Sequence, residues 1–456
     1  MWETKIHRRR IRILIGIFIG TAFLVVGRLF YLQILHSADY KERAENQYTT
    51  SSTDTFDRGN IYFTAKDGTT VTAATVVSGF KLVINPTLIT DPEHTYAALN
   101  AVIPIDHATF IAKATKENDQ YEEIVDHIEA PQADALTKLA LPGVTLKREN
   151  WRFYPGGELA ARTIGFVSYK GDTLTGTSGL EQYYNDVLSR ASDDVSVNFF
   201  AQIFANMTSS FKNTSTEGDI VTSIEPTVQA QLEQTVTSIQ QKWDSDTVGG
   251  IIMDPYTGEI IAMAAAPSFD LNNFTSVKDQ SIYTNPFVQN RYEMGSIVKP
   301  LIMSGAIENN VVTPSTTYTD HGSVTVNGTT LSNFDKMGRG ANVTMQEVLN
   351  QSLNTGMIFV EQHMGKAMFK DYVENHFHLG DKTGVDLPGE VNGAVGSLDG
   401  SNDINYAAAA FGQGIATSPI NIVRGFAVLA NGGILVTPHL ATAVVKESGT
   451  TVPINY

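Results

Sequence analysis

The stretch VGGIIMDPYTGEIIAMAAAP, residues 248–267, consists of two apolar runs on either side of a short polar connection. Pro255 and Gly258 lie in that connection, and proline and glycine are favoured in tight turns between strands. The stretch therefore predicts a β-hairpin, with one strand before the turn and one after it.

An amphipathic helix is predicted immediately before the hairpin. It begins at Pro226, because proline is favoured at the first helical position, where its missing N–H costs nothing. From there, apolar residues recur at helical spacing at Val228, Leu232, Val236 and Ile239. Strands, a helical middle and further strands together predict an α+β fold, in which helices pack on an antiparallel sheet.

The composition limits the classes of protein that the chain can represent. Its 456 residues are enough for two or three domains. It contains no cysteine, which excludes disulfides and cysteine-ligated metals and suits an extracytoplasmic protein. The net charge of −16 argues against nucleic acid as a partner. The histidines are scattered without ligand spacing, so we expect no metal and no organic cofactor.

The N-terminus has the pattern of a membrane anchor. Residues 1–12 are basic, and residues 13–35 are apolar with Arg28 as their only charge, a length that spans a bilayer core of about 30 Å. Basic residues before the span place the N-terminus in the cytoplasm. We therefore expect a single-pass protein of the cytoplasmic membrane with an extracytoplasmic bulk. A cleaved signal peptide is the alternative, but no small-residue cleavage site follows the apolar run.

Two domains are expected beyond the anchor. Residues 36–217 mix short strands with short helices and end in a polar segment rich in serine, threonine and asparagine, which is typical of a loop. We therefore place a domain boundary near Gly218. The mixed α/β region before it is the first domain, and residues 218–456, which contain the predicted hairpin, are the second.

The segment RYEMGSIVKP, residues 291–300, places Ser296 one helical turn ahead of Lys299. A serine at the start of a helix meets free backbone N–H groups, which favour developing negative charge. A lysine that is desolvated in a cleft can have its pKa lowered enough to take the serine proton. The pair fits nucleophilic acyl transfer. Taken alone it fits an ordinary helix start as well, and the same S-x-x-K spacing also occurs elsewhere, for example at Ser209–Lys212.

A second group of candidates lies in NQSLNTGM, residues 350–357. The Ser352 hydroxyl can relay a proton, and the Asn354 amide can both donate to and accept from a peptide bond. The S-x-N pattern is weak alone, because Ser196 and Asn198 match it too, and a polar break between two helices is the alternative reading. Order separates the two sets, since S-x-x-K precedes S-x-N in the set formed by Ser296 and Ser352, whereas it follows S-x-N in the set formed by Ser209 and Ser196.

In this order the motifs resemble those of a known family. S-x-x-K, then S-x-N, then K-T-G is the signature of penicillin-binding proteins and serine β-lactamases. Further blocks resemble the non-catalytic pedestal and the transpeptidase domain of class B penicillin-binding proteins: DRGNIYFTAKDG, WRFYPGGELAARTIGFV, GTSGLEQYYNDVL, MDPYTGEIIAMAAAPSFDLNNF, NRYEMGSIVKP, NQSLNTGM, DKTGVDLPGE and FGQGIATSPINIVRGFAVLANGG. The resemblance covers nearly all of residues 8–445. The Tyr292-Glu293 pair leans toward the cell-division members of the family.

The resemblance implies a role for each candidate residue. Ser296 resembles the acylated nucleophile, and Lys299 resembles the base that activates it. Ser352 resembles the proton relay, and Asn354 resembles the residue that holds the substrate amide. The backbone N–H of Ser296 would supply one half of an oxyanion hole.

The resemblance also implies substrates and partners. The substrates would be the D-Ala-D-Ala ends of peptidoglycan stem peptides, which are cross-linked through a serine acyl-enzyme, and β-lactams would acylate the same serine. Because the sequence shows no glycosyltransferase region, we expect a membrane glycan polymerase as a partner, together with division or elongation proteins.

The third motif departs from the family pattern. A K-T-G triplet occurs at 382–384, but it precedes FGQGIATSP, whereas the catalytic triplet of the family follows the helix that NIVRGFAVLANGG resembles. We therefore expect 382–384 to lie in a loop outside the active site and the chain to stop before the catalytic strand. The transpeptidase domain would then lack its last strands and one oxyanion donor, and the chain would be inactive or nearly so. Met294 stands where the family usually has proline.

Two other functions remain as alternatives. A non-catalytic, membrane-anchored scaffold or β-lactam sensor would bind its partners or an antibiotic without turnover. A serine β-lactamase would need a base that activates water on the acyl-enzyme, and no residue of the sequence stands out in that role.

Overall fold

A computed structural model describes the protein at residues 57–171, 173–190 and 217–456. The predicted anchor at 13–35 and the basic residues before it lie outside these ranges. The S-x-N at Ser196 and the S-x-x-K at Ser209 lie outside them as well. None of the helices within the three ranges has both the length and the apolar character that crossing a membrane requires. The single-pass anchor therefore stays a prediction.

The regular elements of the described ranges are mostly short. The strands are β1 (Ile61–Thr64), β2 (Thr70–Ile84), β3 (Glu122–Ile128), β4 (Val144–Phe153), β5 (Val167–Lys170), β6 (Thr173–Gly176), β7 (Gly218–Thr222), β8 (Val248–Met253), β9 (Ile260–Ala266), β10 (Thr317–Asp320), β11 (Ser323–Val326), β12 (Thr329–Ser332), β13 (Gly340–Thr344), β14 (Ala441–Lys446) and β15 (Thr451–Pro453). The helices are α1 (Pro92–Asn100), α2 (His107–Ala114), α3 (Ala130–Lys138), α4 (Ala161–Ile164), α5 (Gly179–Tyr183), α6 (Asn185–Leu188), α7 (Pro226–Trp243), α8 (Lys299–Glu308), α9 (Met345–Asn350), α10 (Asn354–Met364), α11 (Lys366–Asp371), α12 (Asp403–Ala409) and α13 (Pro419–Ala430).

The described chain forms two compact units. The smaller unit comprises Ser78–Asn150, and the larger comprises residues 57–77 together with Trp151–Tyr456. Gly218, where we placed a domain boundary, has residues of the larger unit on both sides. The boundaries of the compact units therefore differ from the domain boundary that we predicted from the sequence. The boundary near Gly218 stays a prediction.

The smaller unit contains three helices and the strand β3, together with parts of β2 and β4, which pair with each other. The part of β2 from Ser78 onward pairs antiparallel with β3, and Phe80 lies opposite Ile128. Leu82, Leu99 and Phe110 belong to its hydrophobic core, to which α3 adds further apolar side chains. None of the four candidate site residues lies in this unit.

The larger unit contains a mixed sheet in which the strand order is β15-β14-β7-β1-β2. The strand β7 lies between a parallel and an antiparallel neighbour, with Ile220 opposite Ile61 of β1 and opposite Val444 of β14. The same isoleucines enter a large core with residues from the hairpin strand β9. The α+β class predicted from the sequence is confirmed, with a parallel pair of strands that the sequence did not indicate.

The predicted hairpin and the helix before it are both present in the larger unit. Strands β8 and β9 pair antiparallel, and the turn closes through the N–H of Gly258, which donates to the carbonyl oxygen of Asp254 (2.9 Å). Helix α7 begins at Pro226 as predicted. Val236 is buried against β9, but Ile239 is 41% exposed. The predicted apolar face is therefore wrong at its last member, because helical periodicity does not say how much of a helix the sheet covers.

A buried ion cluster ties the start of the described chain to later segments of the larger unit. Glu181 accepts from the Nε atoms of both Arg58 and Arg152 (2.6 Å each), and all three side chains are at most 1% exposed. Arg152 also donates to the carbonyl oxygen of Gly59 (2.8 Å). Two buried cations therefore share one carboxylate, and each depends on it as a counter-charge.

Replacing Glu181 by alanine should destabilise the protein severely. Two buried guanidinium groups would lose their counter-charge, and we expect the free energy of unfolding to fall by about 3–5 kcal/mol. Urea denaturation measures this change. The matched control is Glu374→Ala, which removes a carboxylate 3.7 Å from Lys370 in a partly exposed pair and should change stability by less than about 1 kcal/mol. Equal losses in the two variants would contradict the prediction.

Candidate active site

Ser296 and Lys299 lie on one helical segment that runs from the surface into the core. Ser296 belongs to a 3₁₀ turn at Gly295–Val298, and Lys299 is the first residue of α8. Ser296 is exposed, whereas Lys299 is only 1% exposed. Val298 and Leu301 are buried in the same core, which fixes the segment on its apolar side. The predicted helix start is confirmed, with its first turn in the tighter 3₁₀ form.

The residues before Ser296 are held by a second segment, 412–417. Tyr292 and Thr417 exchange two backbone hydrogen bonds, at 2.9 and 3.0 Å. The N–H of Gly295 donates to the carbonyl oxygen of Gly412 (3.0 Å). The turn that carries the serine is therefore fixed by contacts to a segment that lies more than a hundred residues later in the chain.

Gly412 can approach the serine turn this closely because it has no side chain. Its φ is +79°, in the left-handed region that residues with a Cβ avoid. A Cβ placed on Gly412 would overlap the carbonyl oxygen of Gly295. Gly295 itself has a φ of +60°, so two glycines with left-handed backbones meet at the base of the turn.

Ser352 and Asn354 lie at the junction between α9 and α10. Ser352 has a φ of +54°, which is uncommon for serine, and Leu353 is buried at 1% exposure. Asn354 is the first residue of α10. The polar break between two helices, which we considered as the alternative to a functional site, is present. It is also the place where both polar side chains meet Lys299.

The ammonium group of Lys299 joins the two motifs. Its Nζ donates to the carbonyl oxygen of Ser352 (2.7 Å), to the Oγ of Ser352 (3.1 Å) and to the Oδ1 of Asn354 (2.8 Å). An ammonium has three N–H donors, so these three bonds satisfy it. The structure therefore brings three of the four predicted residues into direct contact. The fourth, Ser296, lies one turn earlier on the same segment as Lys299.

Burial changes the acid strength of Lys299. The surrounding protein withholds water from the charged form and lowers the pKa of Lys299 from 10.5 to about 8. No acidic side chain of the described ranges offsets this shift. At neutral pH, a larger fraction of Lys299 therefore carries the neutral amine than for a lysine in water.

The sequence did not predict the residues that form hydrogen bonds with Asn354 and its neighbour Thr355. The Nδ2 of Asn354 donates to the carbonyl oxygen of Ser332 (2.9 Å). The Oδ1 of the next residue, Asn333, accepts from the backbone N–H of Thr355 (3.1 Å). No motif marks Ser332 or Asn333, because the end of β12 and the start of α10 meet only in the folded protein.

The K-T-G triplet at 382–384 forms a self-contained loop. The N–H and the hydroxyl of Thr383 both donate to Oε1 of Glu390 (2.6 Å each), and the N–H of Gly384 donates to Oε2 (3.1 Å). Within the described part of the chain, none of the triplet's hydrogen bonds reaches the four candidate residues. These contacts support leaving the triplet out of the site, and that assignment stays a prediction.

The arrangement has the parts that nucleophilic acyl transfer needs. It combines an exposed serine hydroxyl, a buried amine with a lowered pKa, a second hydroxyl and an oriented amide. Across residues 57–190 and 217–456, no group of three or more histidine, aspartate or glutamate side chains is placed to hold a metal ion.

Two family models match the chain, each over a different part of it. The penicillin binding protein transpeptidase domain matches residues 248–455, and the penicillin-binding protein dimerisation domain matches residues 54–221. Together they cover well over half of the sequence. The chain belongs to the class B penicillin-binding proteins. The four candidate residues all lie within the part that matches the transpeptidase domain.

Curated relatives of this class B penicillin-binding protein agree with that assignment. Stage V sporulation protein D of Bacillus subtilis is 29% identical over 95% of this chain and 67% of its own length. Peptidoglycan D,D-transpeptidase FtsI of Escherichia coli is 25% identical over 74% of this chain and 55% of its own length.

Solved structures show the same fold. Penicillin binding protein 2X of Streptococcus thermophilus matches with a TM-score of 0.67 at 20% identity, over 87% of this chain and 62% of that one. Penicillin binding protein 3 of Mycobacterium tuberculosis, solved in complex with aztreonam, matches with a TM-score of 0.59 at 26% identity, over 68% of this chain and 64% of that one. The chain thus spans between 55% and 67% of the length of these four proteins.

Adding one methyl group at Gly412 should destabilise the protein by more than the strain of a left-handed backbone, because the methyl group would also overlap Gly295. The variant Gly412→Ala would combine strain of about 1–2 kcal/mol with overlap on Gly295, so we expect a total loss above about 2 kcal/mol in urea denaturation. Gly432→Ala is the matched control, because Gly432 also has a left-handed φ, +83°, but nothing lies within 4 Å of its Cβ position. If both variants lose the same stability, the contact with Gly295 does not matter.

Proposed function

We propose that the protein is a serine-type D,D-transpeptidase that cross-links peptidoglycan stem peptides through an acyl-enzyme on Ser296. The observation that carries this proposal is the buried amine of Lys299, which contacts Ser352 and Asn354 one turn from Ser296. The names of the relatives support the same substrate class, since the E. coli relative is a peptidoglycan D,D-transpeptidase. The aztreonam complex of the mycobacterial structure supports acylation by β-lactams.

Acylation begins with the hydroxyl of Ser296. Its oxygen attacks the carbonyl carbon between the two terminal D-alanines, and its proton passes to the neutral amine of Lys299. The negative charge that develops on the carbonyl oxygen faces the backbone N–H of Ser296, at the start of the helical segment. The peptide bond then breaks, and D-alanine leaves as a free amino acid.

The contacts of Lys299 indicate how the proton moves. The neutral amine has two N–H donors and one lone pair. The carbonyl oxygen of Ser352 and Oδ1 of Asn354 can only accept, so they hold the two donors. The lone pair is then free for a hydroxyl, either that of Ser296 or that of Ser352, which lies 3.1 Å away. Ser352 can therefore carry the proton from Lys299 to the nitrogen of the leaving D-alanine.

The acyl group is then transferred to a second stem peptide. The amine of that peptide attacks the ester carbonyl, and the same groups move the protons in the opposite direction. The Asn354 amide accepts from the substrate peptide or donates to it, which keeps the carbonyl aligned with Ser296.

The proposal extends to the rest of the chain. Residues 13–35 anchor it in the cytoplasmic membrane, residues 36–217 form the pedestal, and residues 218–456 carry the reaction outside the cytoplasm. A membrane glycan polymerase supplies the strands that the enzyme cross-links, together with division or elongation proteins. The pedestal assignment is supported by the match of residues 54–221 to a dimerisation domain.

Ser296 should be acylated by benzylpenicillin. We expect intact-mass spectrometry of the chain to show one covalent adduct, which is absent in Ser296→Ala. The matched control is Ser209→Ala, which removes the serine of another S-x-x-K and should leave the adduct unchanged. An adduct that persists for hours fits a transpeptidase, whereas rapid hydrolysis would favour a β-lactamase. No adduct on the unaltered chain would fit a scaffold, and it would also fit the near-inactivity that the third motif predicts for this chain.

The acylation rate should rise with pH up to about 8. Because the pKa of Lys299 is lowered to about 8, raising the pH converts more of it to the neutral base. The rate should therefore increase about tenfold per pH unit below that value and level off above it. Stopped-flow acylation by a chromogenic β-lactam measures the profile, and Lys382→Met, which alters the K-T-G lysine, is the control that should not change it. A rate that is flat between about pH 6 and 9 would exclude Lys299 as the base.

A further inference from the structure

A cluster of fully buried polar side chains lies beneath the first turn of α10. Asp320 is 1% exposed, Thr355 is 2% exposed and Asn333 is 3% exposed. Polar groups are rarely buried this completely without hydrogen bonds or a function. The acyl-transfer steps described above use none of these three side chains.

The carboxylate of Asp320 is satisfied entirely by uncharged donors. Its Oδ1 accepts from the hydroxyl of Thr355 (2.8 Å) and from the N–H of Gly322 (2.9 Å). Its Oδ2 accepts from Nδ2 of Asn333 (3.0 Å) and from the N–H of Arg339 (3.1 Å). The hairpin region from β10 to β13 is thereby joined to α10 through one carboxylate.

Asn333 supplies the cap that the helix lacks. Leu353, at the N-cap position of α10, provides no side-chain hydrogen bond to the first turn. The first N–H groups of a helix need acceptors from outside the helix. The Oδ1 of Asn333 accepts from the N–H of Thr355 (3.1 Å), while its Nδ2 donates to Asp320. Asp320 thus fixes which end of the Asn333 amide faces the helix.

The same strand end also fixes the amide of Asn354. Its Nδ2 donates to the carbonyl oxygen of Ser332 (2.9 Å), and a carbonyl oxygen can only accept. The Oδ1 of Asn354 must then point the other way, where it accepts from Lys299 (2.8 Å). A reversed amide would place an N–H₂ group against the ammonium and a carbonyl against a carbonyl.

We propose that Asp320 and Asn333 are positioning residues that hold the S-x-N turn in its reactive geometry. They fix the end of β12 and the first turn of α10 together, and through Ser332 and Thr355 they orient Asn354 toward Lys299. The inference rests on the proposed function, since it assigns them to the acylation of Ser296. Small displacements of aligned groups cost on the order of 10²-fold in rate.

The test compares Asn333→Ala with the unaltered full chain in acylation by a chromogenic β-lactam. We expect the rate constant of the chemical step to fall about 10- to 100-fold, with the dissociation constant of the first complex nearly unchanged. We also expect the midpoint of the pH profile to move to lower pH. If Asn354 no longer accepts from Lys299, the ammonium form loses a stabilising hydrogen bond.

Two substitutions of Thr355, one of which keeps the hydroxyl, test its hydrogen bond to Asp320. Thr355→Val removes the hydroxyl that donates to Asp320 and should lower the rate, whereas Thr355→Ser keeps that hydroxyl and should restore it. Val236→Ala, at a buried position of α7, is the stability control. It should lower the free energy of unfolding without moving the midpoint of the pH profile. If Val236→Ala and Asn333→Ala change the profile alike, the positioning role is wrong.

A second readout does not depend on acylation. Amide hydrogen exchange, followed by mass spectrometry, should become faster in the first turn of α10 in Asn333→Ala and stay unchanged in Val236→Ala. If the unaltered chain is not acylated but exchange increases, the proposed function fails while the capping of α10 stands. If the unaltered chain is acylated and Asn333→Ala changes neither rate, midpoint nor exchange, the inference is overturned and the function stands.

Discussion

The site depends on one physical constraint: a lysine amine is held out of water, and no carboxylate among the described residues neutralises it. Helix α8 places Lys299 among buried apolar residues, and loss of water lowers its pKa. Elsewhere the same chain buries cations differently, since Arg58 and Arg152 share Glu181. There the shared carboxylate offsets part of the cost of burying the two cations, and removing it would destabilise the fold. The unpaired amine is less stable as an ammonium, and that instability makes it a usable base near neutral pH.

Such an amine is useful only if its lone pair faces the correct hydroxyl. Three neutral acceptors surround Lys299, and two of them cannot donate. In the proposed reaction, the fold would therefore set the direction of proton transfer by limiting which partners of Lys299 are available. The amide of Asn354 contributes to this only because Ser332 takes its other end. The lowered pKa of Lys299 and the orientation of the Asn354 amide therefore both depend on how the same segments pack together.

Segments that are far apart in the sequence supply this packing. The serine turn is held by 412–417, and the S-x-N turn is held by the end of β12. Both turns use left-handed backbone conformations, at Gly295 and at Ser352. Conformations of this kind persist where surrounding contacts determine them. A site built in this way keeps its geometry without a metal-binding cluster among the described residues.

The sequence by itself determined the local elements and the chemistry. Pro226 gave the start of α7, Pro255 and Gly258 gave the hairpin turn, and the order of S-x-x-K and S-x-N gave the four candidate residues, because each signal lies within a few consecutive residues. Only the tertiary structure decided the exposure of Ile239, the contact of Gly412 with the serine turn, and the hydrogen bonds of Asp320 and Asn333. These features depend on which distant segments meet, and periodicity along one segment carries no information about its partners. The tertiary structure also decides the lowered pKa of Lys299, because desolvation is a property of the surrounding fold and not of the residue.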